Sequence, residues 1–322
     1  MRSAESVKAK LRNQAKGNNR ILQDELVMYG LERTIYRISI SKYMEKFTLK
    51  GGIFLYGLFE GDFARATTDI DLLAQMTSNE VENMQDIFHE IFNIEADDAL
   101  RYDLSSLDIH TITEFKEYHG VNISVIAYLD KTKVPVSIDI GFGDIVVPER
   151  VLMEFPVILD MEIPKIYAYS LQSVVSEKFE AIVSLGYANS RFKDFYDIYV
   201  LATRYDFAGS ELQEALMTTF NHRKTGFEDI VAFEDVFTKD LQRQVRWNAF
   251  IKKKKAMVKV EFSDTINAIY DFLNPIVEAI HKNEIFDKVW RHDKGKWIMS
   301  ISTPSDVTRQ LNSPSNIENI LT

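Results

Sequence analysis

Apolar positions recur at helical spacing through residues 20–47, at Leu22, Leu26, Leu31, Ile35 and Ile38, and predict one or two helices there. Lys50-Gly51-Gly52 breaks the pattern as a turn, and the apolar run 53–59 predicts a short helix seated on it. Residues 60–68, of mixed polarity with a glycine, read as a loop, and 69–74 (DIDLLA) as a strand. Thr77 followed by Glu80 has capping-box spacing and predicts a helix running to about Phe92. Three runs of strand character follow, at 107–112, 121–127 and 134–140. The last, VPVSIDI, alternates and is rich in β-branched residues, and Gly141 and Gly143 end it. After Pro164 the periodicity changes to helical, over 170–185, 191–205, 210–220, 237–257 and 265–282. The pattern therefore predicts an α+β fold, with a mixed-sheet domain over residues 1–160 and an all-α domain over 161–322. The tail after Ser302, with TPSD and SPSN, reads as loosely ordered.

Composition narrows the chemistry. The 322 residues are 46% hydrophobic and 27% charged, an ordinary globular balance, and contain no cysteine. Disulfides, zinc–cysteine sites and a cysteine nucleophile are excluded. The polar first twenty residues have no apolar segment of a secretory signal, and no apolar run approaches the ~20 residues of a membrane span. A cytoplasmic protein without a membrane partner is expected. A net charge of -10 argues against non-specific coating of nucleic acid, but leaves room for a local basic groove that grips one end. No phosphate-binding G-x-x-x-x-G-K-[ST] loop, no kinase H-R-D or D-F-G set and no G-x-S-x-G elbow is present.

The most informative segment is R-A-T-T-D-I-D, residues 65–71. On a strand, residues two apart share a face, so Asp69 and Asp71 project together while Ile70 turns into the core. Two carboxylates on one edge repel unless a cation neutralises them, and such oxygen-rich pairs suit Mg²⁺ or Mn²⁺ in phosphoryl or nucleotidyl transfer. Alone, a D-x-D is as often a solvated pair. Its context is a glycine pair that opens a helix upstream, where backbone N–H groups can hold phosphates. Downstream lies Asp139, flanked by Ile138 and Ile140, which is positioned either to join the same sheet face or to end a strand in water.

The helical half carries a second cluster. Lys178 lies on an amphipathic helix with Val174, Phe179 and Ile182 as core residues. Arg191, Lys193, Asp194 and Asp197 follow, the two acids sharing a helix face above Phe195, Ile198 and Leu201. Composition favours an exposed, ion-paired face for these charges. The basic run 252–255, with Arg243, Arg246 and Lys259, reads either as a grip for RNA phosphates or as a solvated helix face. Trp290 and Trp297, with Arg291, Lys294 and Lys296 between them, are more readily read as packing than as stacking platforms for bases.

In order along the chain, KGG, R-x-T-x-D-I-D, SIDIGFGD and SEKFEAIVSLGYANSRFKDFYDIYVL resemble the AbiEii nucleotidyltransferase toxins, to which the MenT toxins are related. The likeness runs from about Lys50 to Leu201. The E-K-x-x-A-I and R-x-K-D-x-Y-D-I segments are particular to this group, whereas D-x-D belongs to the whole DNA polymerase β-like superfamily. The resemblance implies a nucleotidyltransferase mixed-sheet core followed by a helical domain that contributes active-site residues. It implies that Asp69 and Asp71 hold the catalytic metal, and that Lys50, Gly51, Gly52, Arg65 and Thr67 border the triphosphate. It further implies that Lys178 contacts nucleotide phosphates, that Asp194 completes the site with Arg191, Lys193 and Asp197 nearby, and that Asp139 is the acid of the third core strand. An NTP donor, an RNA acceptor such as the 3′ end of tRNA, a role in abortive infection and phage defence, and a DNA-binding antitoxin that need not touch the toxin all follow from the same likeness. A non-catalytic NTP- or RNA-binding module and a protein-modifying transferase remain the alternatives. From about Asp206 onward no motif matches.

Overall fold

A computed structural model describes residues 2–18, 20–61, 67–113, 119–228, 230–253 and 258–299. Arg65, Lys254, Lys255 and the tail after Ser302 lie outside the described residues. In chain order the first part comprises α1 (Ala4–Gly17), α2 (Leu22–Ile40), β1 (Phe47–Lys50), α3 (Gly51–Leu58), β2 (Ile70–Ala74), α4 (Val81–Phe92), β3 (Leu100–Thr113), β4 (His119–Leu129), β5 (Thr132–Phe142), β6 (Val151–Glu154) and β7 (Lys165–Ala168). The second comprises α5 (Leu171–Leu185), α6 (Phe192–Arg204), β8 (Phe207–Ala208), α7 (Gly209–His222), α8 (Asp235–Thr238), α9 (Leu241–Lys253), α10 (Phe262–His281), β9 (Lys288–Arg291) and β10 (Lys296–Met299). The chain divides into two compact units, one from Met1–Asp144 and Glu149–Ser170, the other from Ile145–Pro148, Leu171–Lys253 and the residues from Val258 onward.

The first unit is built on a mixed sheet whose described strands run β3-β4-β5-β2-β1-β7-β6. The central pair, β5 and β2, is parallel, and their alternation divides the two sheet faces. Ile70, Leu72, Ile138 and Ile140 are buried on one face, which leaves Asp71 and Asp139 on the other. Helix α2 packs on β5 from the apolar side. Gly30 permits the approach, because a Cβ there would lie 2.6 Å from Val134 Cγ1. The β4–β5 turn has only two residues, Asp130 and Lys131, with Asp130 in the left-handed region at φ 54.

Helix α2 also buries charge. Arg37 pairs with Asp98 and donates to the Ile94 carbonyl at 3.0 Å, while Tyr29 donates to the Asp98 carbonyl at 2.6 Å. Glu32 pairs with Arg33 at 2.8 Å and accepts the Ile158 N–H at 2.6 Å. These bonds anchor the helix to the segment before β3 and to the β6–β7 connection. Burial pushes the Glu32 carboxyl up to about 7, against the opposing pull of Arg33.

The second unit has an aromatic core, with Phe262 in ring contact with Phe192, Phe195 and Trp247, and Phe192 with Trp247. It is not all-α: β10-β9-β8 form a small sheet. Trp290 and Trp297 lie on its strands. Trp290 donates to the Ala202 carbonyl at 2.6 Å and Trp297 to that of Phe272 at 2.9 Å, so both pack against this unit's own helices. The helix expected over 237–257 is broken within its described residues: α8 ends at Thr238, and Asp240 accepts the Arg243 N–H at 2.7 Å and starts α9 afresh. The Thr77/Glu80 capping box is not made. Glu80 precedes α4 without a side-chain cap, its N–H donates to Ser78 Oγ at 3.1 Å, and Thr77 accepts instead from Asn83.

Candidate active site

Four strands of the first unit place one polar side chain each in a single row. Lys50 on β1 faces Asp71 on β2, Asp71 faces Asp139 on β5, and Asp139 faces Asn122 on β4. Residues directly opposite on neighbouring strands share a face, so all four lie on the side away from Ile138 and Ile140. Asp69, one residue before β2, joins them. Asp69, Asp71 and Asp139, all half-buried, each offer a carboxylate oxygen within 4.8 Å of the others. The sheet register thus realises the common face expected of these acids.

Each acid is fixed by its neighbours. Asp69 Oδ1 accepts from the N–H and the hydroxyl of Thr68, both at 3.2 Å, and the Thr67 hydroxyl donates to the Asp69 carbonyl at 3.3 Å. Asp71 Oδ2 accepts the Gly52 N–H at 3.2 Å, from the first turn of α3. Gly51 makes that approach possible. It sits at φ 65, and a Cβ there would fall 2.0 Å from Asp71 Oδ2. The turn expected at Lys50-Gly51-Gly52 is therefore the last residue of a strand running directly into a helix. Asn122 donates to Asp139 Oδ1 at 2.6 Å and to Ser137 Oγ at 3.1 Å.

This donor set fits a small hard dication. Oxygens bound to one Mg²⁺ at ~2.1 Å lie at most ~4.2 Å apart, close to the spacing of the three carboxylates, and a set made only of oxygen suits Mg²⁺ or Mn²⁺ over softer metals. Asp69, Asp71 and Asp139 are the residues that could hold it. Lys50 stands at the edge of the row. Its ammonium pairs with Asp144 at 2.9 Å, donates to the Tyr169 hydroxyl at 3.5 Å and lies 5.4 Å from that ring's centre.

In the second unit Lys178, on α5, pairs with Asp194 at 3.1 Å and Asp197 at 2.7 Å, both on α6. Arg191 reaches Asp194 at 2.8 Å. The expectation of an exposed charged face is overturned for the two acids: Asp194 is 1% and Asp197 0% exposed. Lys193 is exposed. Phe195, Ile198 and Leu201 are buried beside them, so α6 buries more than its apolar stripe. Burial alone would raise the Asp194 pKa, but Lys178 and Arg191 outweigh it and hold the carboxyl below its ordinary value. On α9, Arg243 is occupied locally, donating to the Asn189 carbonyl at 2.7 Å, whereas Arg246, Lys252 and Lys253 are exposed.

Sequence reasoning missed Asn122, Asp144 and Tyr169. Two of them left a signal: in VNISV Asn122 takes the polar position of the alternation, and Asp144 closes the SIDIGFGD segment. Among the described residues no helix is long and apolar enough to cross a membrane.

The profile of the family described as "Nucleotidyl transferase AbiEii toxin, Type IV TA system" matches residues 33–270, most of the chain. Among solved structures, JHP933 from Helicobacter pylori is similar at 15% identity and a TM-score of 0.44, over 80% of this chain and 93% of its own. A candidate nucleotidyltransferase from H. pylori is similar at 15% identity and a TM-score of 0.42, over 81% and 95%. No curated protein matches.

Proposed function

For a chain that belongs to the AbiEii nucleotidyltransferase toxin family of type IV toxin–antitoxin systems, we propose a Mg²⁺- or Mn²⁺-dependent transfer of a nucleoside monophosphate from an NTP to an RNA hydroxyl, with the 3′ end of tRNA as acceptor. The observation that carries this reading is the set of three carboxylates, Asp71 on β2, Asp69 just before it and Asp139 on β5, beside the Gly52 N–H. In the reaction the acceptor oxygen bonds to the α-phosphorus as the bond to the β-phosphate breaks, and pyrophosphate leaves with the bonding pair. Asp69 and Asp71 hold the cation. Asp139 completes the set and is the carboxylate placed to receive the hydroxyl's proton. When bound, the cation supplies charge neutralisation and polarisation at the phosphoryl group. The family likeness gives Lys50, Gly51, Gly52 and Thr67 to the border of the triphosphate; Arg65, also expected there, lies outside the described residues.

The family likeness gives Lys178 to the donor's phosphates, with Asp194 and Asp197 fixing its ammonium and Arg191 and Lys193 adding positive charge. Support for an RNA acceptor is the likeness itself and the exposed Arg246, Lys252 and Lys253 of α9. Family membership implies an antitoxin; we take it to be a DNA-binding protein encoded alongside, and the toxin to act in the cytoplasm, in defence against phage.

Incubation with each α-labelled NTP, Mg²⁺ and total RNA tests the reading. Labelled RNA 3′ ends are expected with the wild-type chain and none with folded Asp71→Asn. Label in a protein band would move the acceptor from RNA to protein. NTP binding without any transfer would leave a non-catalytic module.

A further inference from the structure

We propose that Asn122 is a positioning residue for Asp139, its amide holding that carboxylate in the orientation in which it joins Asp69 and Asp71. The inference rests on the reading of these three acids as the cation's oxygen donors. Asn122 faces Asp139 directly across the β4–β5 register, and its side-chain nitrogen lies 2.6 Å from Asp139 Oδ1. Chemistry fixes which end of the amide points there, because the amide oxygen would repel the carboxylate while the NH₂ group can only donate. The second N–H goes to Ser137 Oγ at 3.1 Å, so the amide cannot rotate without breaking both bonds.

The consequence is selective. A short donor on Oδ1 sets the plane of the carboxylate and leaves Oδ2 as its other acceptor atom. Asp71 Oδ2 takes one donor from the Gly52 backbone, and Asp69 Oδ1 takes two from Thr68, its neighbour in the chain. Asp139 depends on a side chain from another strand. Such partners of ligating groups commonly change metal affinity by about 10–100-fold when removed.

Mn²⁺ alone, titrated into the full chain and followed by the EPR signal of the free ion, tests this. Asn122→Leu keeps the amide's approximate shape without its donor, and Asn122→Thr supplies a strand-favouring replacement if the leucine variant does not fold. Either is expected to weaken Mn²⁺ binding by about 10–100-fold. Ser137→Ala, which removes only the second bond, is expected to change it by less than about 3-fold, a difference that a merely structural role in β4–β5 pairing would not produce. Wild-type binding abolished by Asp71→Asn but unchanged in the folded Asn122 variants overturns the proposal while leaving the three-acid reading intact. A wild-type chain that binds no Mn²⁺ overturns both.

Discussion

Replacing Gly51 by alanine adds one methyl group where the β1–α3 junction meets Asp71. Gly51 has φ 65, and the new Cβ would stand 2.0 Å from Asp71 Oδ2, 2.4 Å from its Cγ and 2.7 Å from its Cβ. Contacts under ~3 Å cannot persist, so the carboxylate must retreat by about 1 Å or more, beyond the ~0.5 Å within which a catalytic constellation functions. Two energies add. A non-glycine residue in the left-handed region costs about 1–2 kcal/mol. Losing the charge-assisted bond from the Gly52 N–H costs at the low end of about 1.5–3 kcal/mol, because Asp71 is only half-buried. A loss of about 2.5–3.5 kcal/mol lowers the melting temperature by roughly 5–14 °C. Misplacing a reacting group by 1 Å can cost about 100-fold in rate. Thermal melting by circular dichroism, Mn²⁺ titration and single-turnover labelling read the three effects. Gly17→Ala is the control, since a Cβ there meets nothing within 4 Å. A Gly51→Ala protein that melts, binds Mn²⁺ and labels RNA like the wild type would refute this account of the site.

Lys178→Met leaves Asp194 and Asp197 buried without their shared ammonium, and is expected to destabilise the second unit by roughly 3–5 kcal/mol in urea unfolding; a midpoint shift near zero would contradict the buried triad. Asp194, held below its ordinary pKa, contributes stability that is present above the unfolded value of 3.8 and lost as pH falls through the lower folded one. In Lys178→Met the folded pKa rises, because burial is then opposed by less positive charge, so that acid loss should shrink or reverse, and an unchanged acid limb would contradict the assignment. Glu32 has the opposite sign. Raised to about 7, its contribution is full below 4.5 and fades as pH rises through 7, a change of about 3 kcal/mol. Unfolding midpoints of Glu32→Gln should therefore fall less steeply across that window, and slopes equal to wild type would sink the argument.

Strand chemistry was the part most visible in the sequence. Alternation put Asp69 and Asp71 on one face and left Asp139 either beside them or at a strand end in water; the parallel pairing of β2 with β5, with Ile70, Ile138 and Ile140 inward, decides for the common face. Burial of charge was not visible. Glu32, Arg33 and Arg37 on α2, and Asp194 and Asp197 on α6, look like solvated faces in a hydropathy pattern, yet partners distant in sequence, such as Asp98 and Lys178, let them enter the interior. Short elements also escaped. β1 has four residues, too few for a period to declare itself, and its Lys50 runs straight into α3. The break between α8 and α9 was legible in principle through Asp240, a capping residue inside an otherwise continuous helical pattern.

The two-residue turn at Asp130 and Lys131 constrains how this gene can change. A longer loop there would bulge outward and leave the pairing of β4 with β5 untouched. A shorter one has no slack to give: deleting a codon would draw Thr132 into the bend and advance β5 by one position, turning Ile138 or Ile140 toward the solvent and Asp139 toward the apolar layer. Lineages should therefore gain residues at this hairpin but not lose them, because a surface turn of no chemical interest keeps time for an acid at the far end of its strand.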